Sequence, residues 1–141
     1  METNQLLKAL EDESNEKLLN FTSAKLKEMN LQVLNELHLS KKETNEILRK
    51  LQEYKYVDGM DELKYGTYLR WIPINNPENV ELTKGAIFCN LKIMDEGVFI
   101  VCKNHGYGNR HFQIKMDECL IFQKLTNQEL VLLSALDHLA K

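Results

Sequence analysis

The sequence predicts an α+β fold: a helical N-terminal region, then a small five-stranded antiparallel barrel-like sheet closed by a C-terminal helix. Three observations predict it. The first 57 residues contain neither glycine nor proline. Beyond them, short alternating segments are punctuated by glycine, proline and acidic turns, the pattern of strands joined by tight loops. After Thr126 the apolar spacing returns to that of a helix. The break at Val57-Asp58-Gly59 divides the chain into a helical region, 1–57, and a β module with its closing helix, 58–141.

Within the helical region, Leu6, Leu7 and Leu10 open one apolar stripe, and Leu18, Leu19 and Phe21 continue it past the acidic patch Glu11–Glu13. A second stretch, about Ser23–Leu37, carries Leu26, Met29, Val33, Leu34 and Leu37 at helical spacing. Ser40-Lys-Lys-Glu43 is a capping box, in which hydroxyl and carboxylate satisfy orphan N–H groups reciprocally. The helix it opens sets Ile47, Leu48, Leu51 and Tyr54 on one face, with Lys42, Asn45, Glu46, Arg49 and Glu53 opposite.

Five strands are expected next: Tyr65–Ile74, Ala86–Ile93, Val98–Lys103, His111–Met116 and Cys119–Lys124. Met94-Asp-Glu-Gly97 reads as a hairpin turn. In the second strand Ile87, Cys89, Leu91 and Ile93 share the inward phase. The first has no polar face, since Tyr65, Leu69 and Trp71 alternate with Tyr68, Arg70 and Ile72. A strand that bends across a small barrel meets buried groups on both sides, which leaves Arg70 in need of a partner such as Glu62, Glu81 or Glu118. Thr126-Asn-Gln-Glu129 is a second capping box, with Leu125 and Leu130 placed as a hydrophobic staple and Leu132, Ala135, Leu136 and Leu139 as the helix's stripe. No internal repeat or low-complexity segment is evident.

The net charge is −3, spread evenly: 9 basic and 11 acidic residues in 1–60, and 9 and 10 in 61–141. Neither half carries the basic excess of a dedicated phosphate binder. Three cysteines at unrelated spacings form no disulfide framework. With no signal-like start, and no wholly aliphatic run longer than Leu130–Leu133, the expectation is a soluble intracellular protein without membrane contact.

Chemistry is sparse. Gly106-Tyr-Gly108 lacks the third glycine and the following helix of a dinucleotide loop. Cys89, Cys102, His105, His111 and Cys119 lack the paired spacings of a zinc site, and Cys89 and Cys102 fall in phase with core residues. Ser134, Asp137 and His138 share a helix, but a terminal surface helix offers no oxyanion hole. The pairs Asp95-Glu96 and Asp117-Glu118 read as turn residues. No catalytic residue, metal ligand or cofactor is therefore assigned.

Two binding readings remain. Tyr68, Arg70, Trp71, Tyr107 and Arg110 line a groove on the β module, because aromatic and arginine side chains anchor protein interfaces. Alternatively, 31–57 forms a helix–turn–helix-like segment whose second helix presents Lys41, Lys42, Asn45, Arg49 and Lys50 to nucleic acid. The apolar stripes of 1–55 further suggest self-association.

Tyr65-Gly-Thr-Tyr-Leu-Arg-Trp-Ile72, with Ile121-Phe-Gln-Lys-Leu-Thr126 and Glu129, resembles small proteins encoded by large DNA viruses of eukaryotes, over about 55–141. That resemblance implies a role in virus replication or in the particle, hence in cytoplasm, nucleus, virus factory or virion. It carries over no site residues. The function expected is a non-enzymatic protein-binding or assembly module, with nucleic-acid binding as the alternative.

Overall fold

Helix α1, Ser23–Asn35, begins where the Thr22 side chain accepts a hydrogen bond from the Lys25 N–H. Its buried stripe is Leu26, Asn30 and Leu34, spaced i, i+4, i+8, with Met29 and Val33 half-buried beside it. The polar member is satisfied, since Asn30 Nδ2 donates to the Tyr54 carbonyl at 2.9 Å. Helix α2, Lys41–Lys50, is capped by Ser40, whose hydroxyl oxygen accepts from the Glu43 N–H at 3.1 Å. Thr44, Ile47, Leu48 and Leu51 are buried, and the polar face is exposed as expected. Helix α3, Asn127–Leu139, opens with the full capping box: Glu129 N–H to Thr126 Oγ1 at 3.2 Å, and Thr126 N–H to Glu129 Oε1 at 2.8 Å. The computed structural model describes residues 22–104 and 110–140, together with Asn4 and Leu7. The first apolar stripe, apart from the exposed Leu7, lies outside the described residues.

Six strands form one antiparallel sheet: β1 Tyr54–Tyr56, β2 Tyr68–Pro73, β3 Ala86–Met94, β4 Gly97–Lys103, β5 His111–Lys115 and β6 Cys119–Lys124. Their order is β1-β6-β2-β3-β4-β5. Two expectations are corrected. There are six strands rather than five, and the sheet is not closed into a barrel. β1 and β5 are its edges, because the chain leaves β5 through the 3₁₀ turn Met116–Glu118 and enters β6 between β1 and β2. β1 was hidden at the end of α2, where Tyr54 continues the helical stripe. It exists because β6 supplies its partner, flanked by Leu125 N–H to Glu53 carbonyl at 2.9 Å and Val57 N–H to Ile121 carbonyl at 2.8 Å.

β2 pairs with β6 from Leu69↔Gln123 to Pro73↔Cys119, and with β3 at Tyr68↔Ile87 and Leu69↔Ala86. Where β3 begins, the strands approach so closely that a Cβ on Gly85, at φ +96°, would collide with the Leu69 carbonyl oxygen. One face of the sheet carries the core: Leu69, Trp71, Ala86, Phe88, Ile100, Cys102 and Ile121, with Val57. Trp71 meets Phe112 of β5 at 5.9 Å between ring centroids, although β3 and β4 separate their strands. The sheet is therefore strongly curled over this core. On the opposite face of β2 and β6, Ile72 and Phe122 are also fully buried, so β2 does meet buried groups on both sides.

The phase of β3 is also corrected. The ladder to β4 shifts between Phe88 and Asn90, leaving Cys89 as the extra residue of a bulge. Before the bulge Ala86 and Phe88 face the core, and after it Leu91 does. A strict alternation carried through Cys89 reverses half of the strand.

By its contacts the chain divides into two units, residues 1–55 with 125–141, and residues 56–124. Helix α3 thus belongs with α1 and α2, where Leu133 packs in a cluster with Leu26 and Leu125.

Candidate functional site

Of the residues read as a groove, the three on β2 are divided between its two faces. Tyr68 and Arg70 are half-buried on one face of β2, while Trp71 lies on the other, in the core and 7% exposed. Arg110 is exposed just before β5, and Tyr107 lies outside the described residues. Among the described residues, the partner of Arg70 is not one of the three expected carboxylates. Its Nε donates to the Thr83 carbonyl at 2.9 Å. Thr83 also accepts from the Trp71 N–H through Oγ1 at 3.1 Å, and donates its own N–H to the Trp71 carbonyl at 2.9 Å. Arg70 thereby fastens the approach to β3 along the upper half of β2.

Two of the three thiols, Cys102 and Cys119, are poor nucleophiles. Burial, and secondarily Cys89 beside it, pushes Cys102 up to about 12. Cys119 is pushed up to about 11, by burial first, then by Glu118 and Asp117. All three cysteines are free. No three His, Cys, Asp or Glu side chains converge as metal ligands among the described residues, and His105 lies outside them. Asp137 directs its carboxylate to the start of α1, accepting from the Ser23 N–H at 2.7 Å and the Ser23 hydroxyl at 2.5 Å. Ser134 and His138 are exposed. No described helix is long and apolar enough to cross a membrane.

Beside a shallow polar concavity on α2, about 560 Å³ and lined by Lys41, Lys42, Asn45, Glu46 and Arg49, two concave surfaces with apolar lining occur among the described residues. The larger, about 710 Å³, lies among α1, α2 and α3. Its leucines Leu26, Leu48, Leu51 and Leu133 are only 1–8% exposed and Leu130 is half-buried, while Ser23, Lys27, Asn45, Arg49 and Gln52 share the lining, so its wall is as polar as it is apolar. The other, about 510 Å³, opens in the β unit between Asp58–Met60, Ile74, Gly97–Val98, Met116–Asp117 and the start of β6. Here apolar groups do reach solvent. Met60 is 42% and Ile74 39% exposed. Ile93, paired with Val98 and therefore on the same face of the hairpin, is 70% exposed. Ile93 keeps the inward phase its sequence position demands, yet it is left largely uncovered among the described residues.

The sequence contains a signal for this place that the reading of turns passed over. Met-Asp-Glu occurs three times, at 60–62, 94–96 and 116–118. Two copies form the 3₁₀ turns Met60–Glu62 and Met116–Glu118, and the third forms the β3–β4 hairpin turn. A three-residue unit lies far below the length at which a repeat announces a fold, and each acidic pair alone reads as turn chemistry. In three dimensions Met60 and Met116 line one cavity, and Met94 pairs with Gly97, which also lines it.

No family model matches this chain, and no curated protein or solved structure matches it either. The site must be read from its own geometry.

Proposed function

We propose that this protein is a non-enzymatic binding module that holds a segment of a protein partner over the open cavity of its sheet. One observation carries the reading: the apolar cavity flanked by solvent-exposed Met60, Ile74 and Ile93. Contiguous exposed apolar surface beside a concavity marks interaction sites. Methionine, unbranched and polarizable, suits a wall that must adapt to its ligand. Under the resemblance to small viral proteins, the partner belongs to the replication machinery or to the particle, inside the cell.

The test is selection of displayed peptides on the full chain, followed by a counter-screen on Met60→Ser/Ile93→Ser. Both side chains are exposed, so the melting temperature should be kept while the selected peptides lose at least about tenfold in affinity. Peptides that bind both proteins equally would sink the assignment of this cavity.

A second reading has its own observation. The exposed face of α2 carries Lys41, Lys42, Asn45, Arg49 and Lys50, following a turn in which His38 takes φ +55°. Glu43 and Glu46 are exposed on the same helix and oppose a phosphate backbone. Nucleic-acid binding through α2 predicts strong heparin retention and affinity that falls steeply with salt. Binding indifferent to Lys41→Ala/Lys42→Ala/Arg49→Ala would dismiss it.

A further inference from the structure

The three Met-Asp-Glu turns do more than supply methionines to the cavity. Asp58 and Asp61, Asp95 and Glu96, and Asp117 and Glu118 are all exposed on or directly beside the turns that enclose it. The carboxylates come from three separate parts of the chain; Asp58 and Asp117 line the cavity itself, and the others stand on the turns whose Met60, Gly97 and Met116 line it. Glu62 is used differently: its Oε2 accepts from the Asp58 and Gly59 N–H groups, both at 2.8 Å, and holds the first turn in shape. Against these six exposed carboxylates stand Lys92 and Lys115, the register partners of Phe99, with Lys115 also beside Gly97. Turn chemistry explains an acidic residue in each turn. It does not explain why each turn begins with a methionine at or beside the same apolar wall.

We propose that the occupant of this cavity is an amphipathic segment of a protein partner, with apolar anchors flanked by lysine or arginine. The proposal rests on the protein-binding reading above and names the chemistry of its ligand. Met60, Ile74, Val98 and Met116 receive the anchors, and the surrounding carboxylates receive the cations. Carboxylates around a low-dielectric wall focus the potential there, attracting cations and repelling phosphate. The Cys119 thiol, set within that wall, is held above its ordinary value by burial first and by the carboxylates of Glu118 and Asp117 next. Each exposed carboxylate contributes little singly, so the effect lies in their number, in association rate and in choice of partner.

The experiment uses the full chain and three short labelled peptides of one leucine pattern, carrying lysine, glutamine or glutamate at the intervening positions, read by fluorescence anisotropy. The lysine peptide should bind at least about tenfold more tightly than the glutamine peptide, and the glutamate peptide least, with the preference fading as salt rises. Asp61→Asn/Asp95→Asn/Asp117→Asn, one change per turn, should remove the preference for lysine over glutamine while leaving the melting temperature unchanged. Met60→Ser/Ile93→Ser should weaken all binding. If lysine and glutamine peptides bind equally and ignore the asparagine changes, this inference falls and the protein-binding reading stands. If the lysine peptide ignores Met60→Ser/Ile93→Ser, its attraction is charge alone and the inference falls as well. Failure of every peptide, selected ones included, removes both. Self-association of the wild type that the asparagine variant lacks would place a second copy in the cavity and overturn the peptide assignment.

Discussion

Two polar side chains show what a single residue does in this sheet. Gln123, 8% exposed, makes three hydrogen bonds through its amide: Oε1 accepts from the Lys64 N–H at 2.8 Å and from Thr67 Oγ1 at 2.9 Å, and Nε2 donates to the Glu62 carbonyl at 3.0 Å. It ties the loop that leads into β2. Arg70 makes one such bond, to the Thr83 carbonyl, from a half-buried position. Removing the glutamine takes a bond from each of three half-buried loop groups, whereas removing the arginine takes one bond from a single half-buried carbonyl. Gln123→Leu should therefore cost about 2–3 kcal/mol and Arg70→Met about 1 kcal/mol, measured by urea unfolding. An arginine change as costly as the glutamine change would contradict this ranking. Arg70 was visible in the sequence as an anomaly, but its partner was not. A backbone carbonyl leaves no mark in the residue at its position, while the carboxylates that composition offers are the obvious guess.

Elements were legible where their signal is local. The Ser40 cap of α2, the capping box of α3 and the stripes of α1 and α2 follow from spacing that needs no distant partner, although the Glu43 carboxylate accepts from the Ser40 hydroxyl rather than from its N–H. β1 and the bulge at Cys89 were illegible, because each is created by the strand across from it: β6 for the first, β4 for the second. The stripe of α3 is intermediate. Spacing offered Leu132, Ala135, Leu136 and Leu139, whereas the buried residues are Glu129, Leu132 and Leu133, and Leu139 is 77% exposed. A helix with leucines at 130, 132, 133, 136 and 139 is apolar around much of its circumference, so packing chooses the face. Leu133→Ala should cost about 2–5 kcal/mol by opening a cavity against Leu26 and Leu125. Leu139→Ala should fall within about 0.5 kcal/mol, as exposed changes do. Comparable losses from both in thermal unfolding would mean that the buried stripe is wrongly placed.

At the scale of the whole molecule, the helical unit is discontinuous in sequence, built from 1–55 and 125–141 with the sheet residues between. The composition break at Val57 marks only the first crossing between units, and the evenly spread charge marks neither. The second, at Leu125, is hidden because β6 runs straight into the staple and cap of α3. The two crossings are adjacent in space, since the Leu125 N–H donates to the Glu53 carbonyl at 2.9 Å. An excursion that leaves and returns at neighbouring backbone positions can be cut short without moving its ends, as tolerated insertions illustrate. Replacing the segment between Val57 and Ile121 with an Asn-Gly turn should join β1 to the remainder of β6 as a hairpin. The shortened chain keeps α1, α2 and α3, the Asn30–Tyr54 bond and the Leu26–Leu125–Leu133 cluster. Circular dichroism should show a helical protein that unfolds cooperatively, with Leu133→Ala lowering its midpoint as in the parent. A chain with little helix, or one that melts without a transition, would show that the helical unit needs the sheet to fold, and the division into two units would then describe contacts rather than folding.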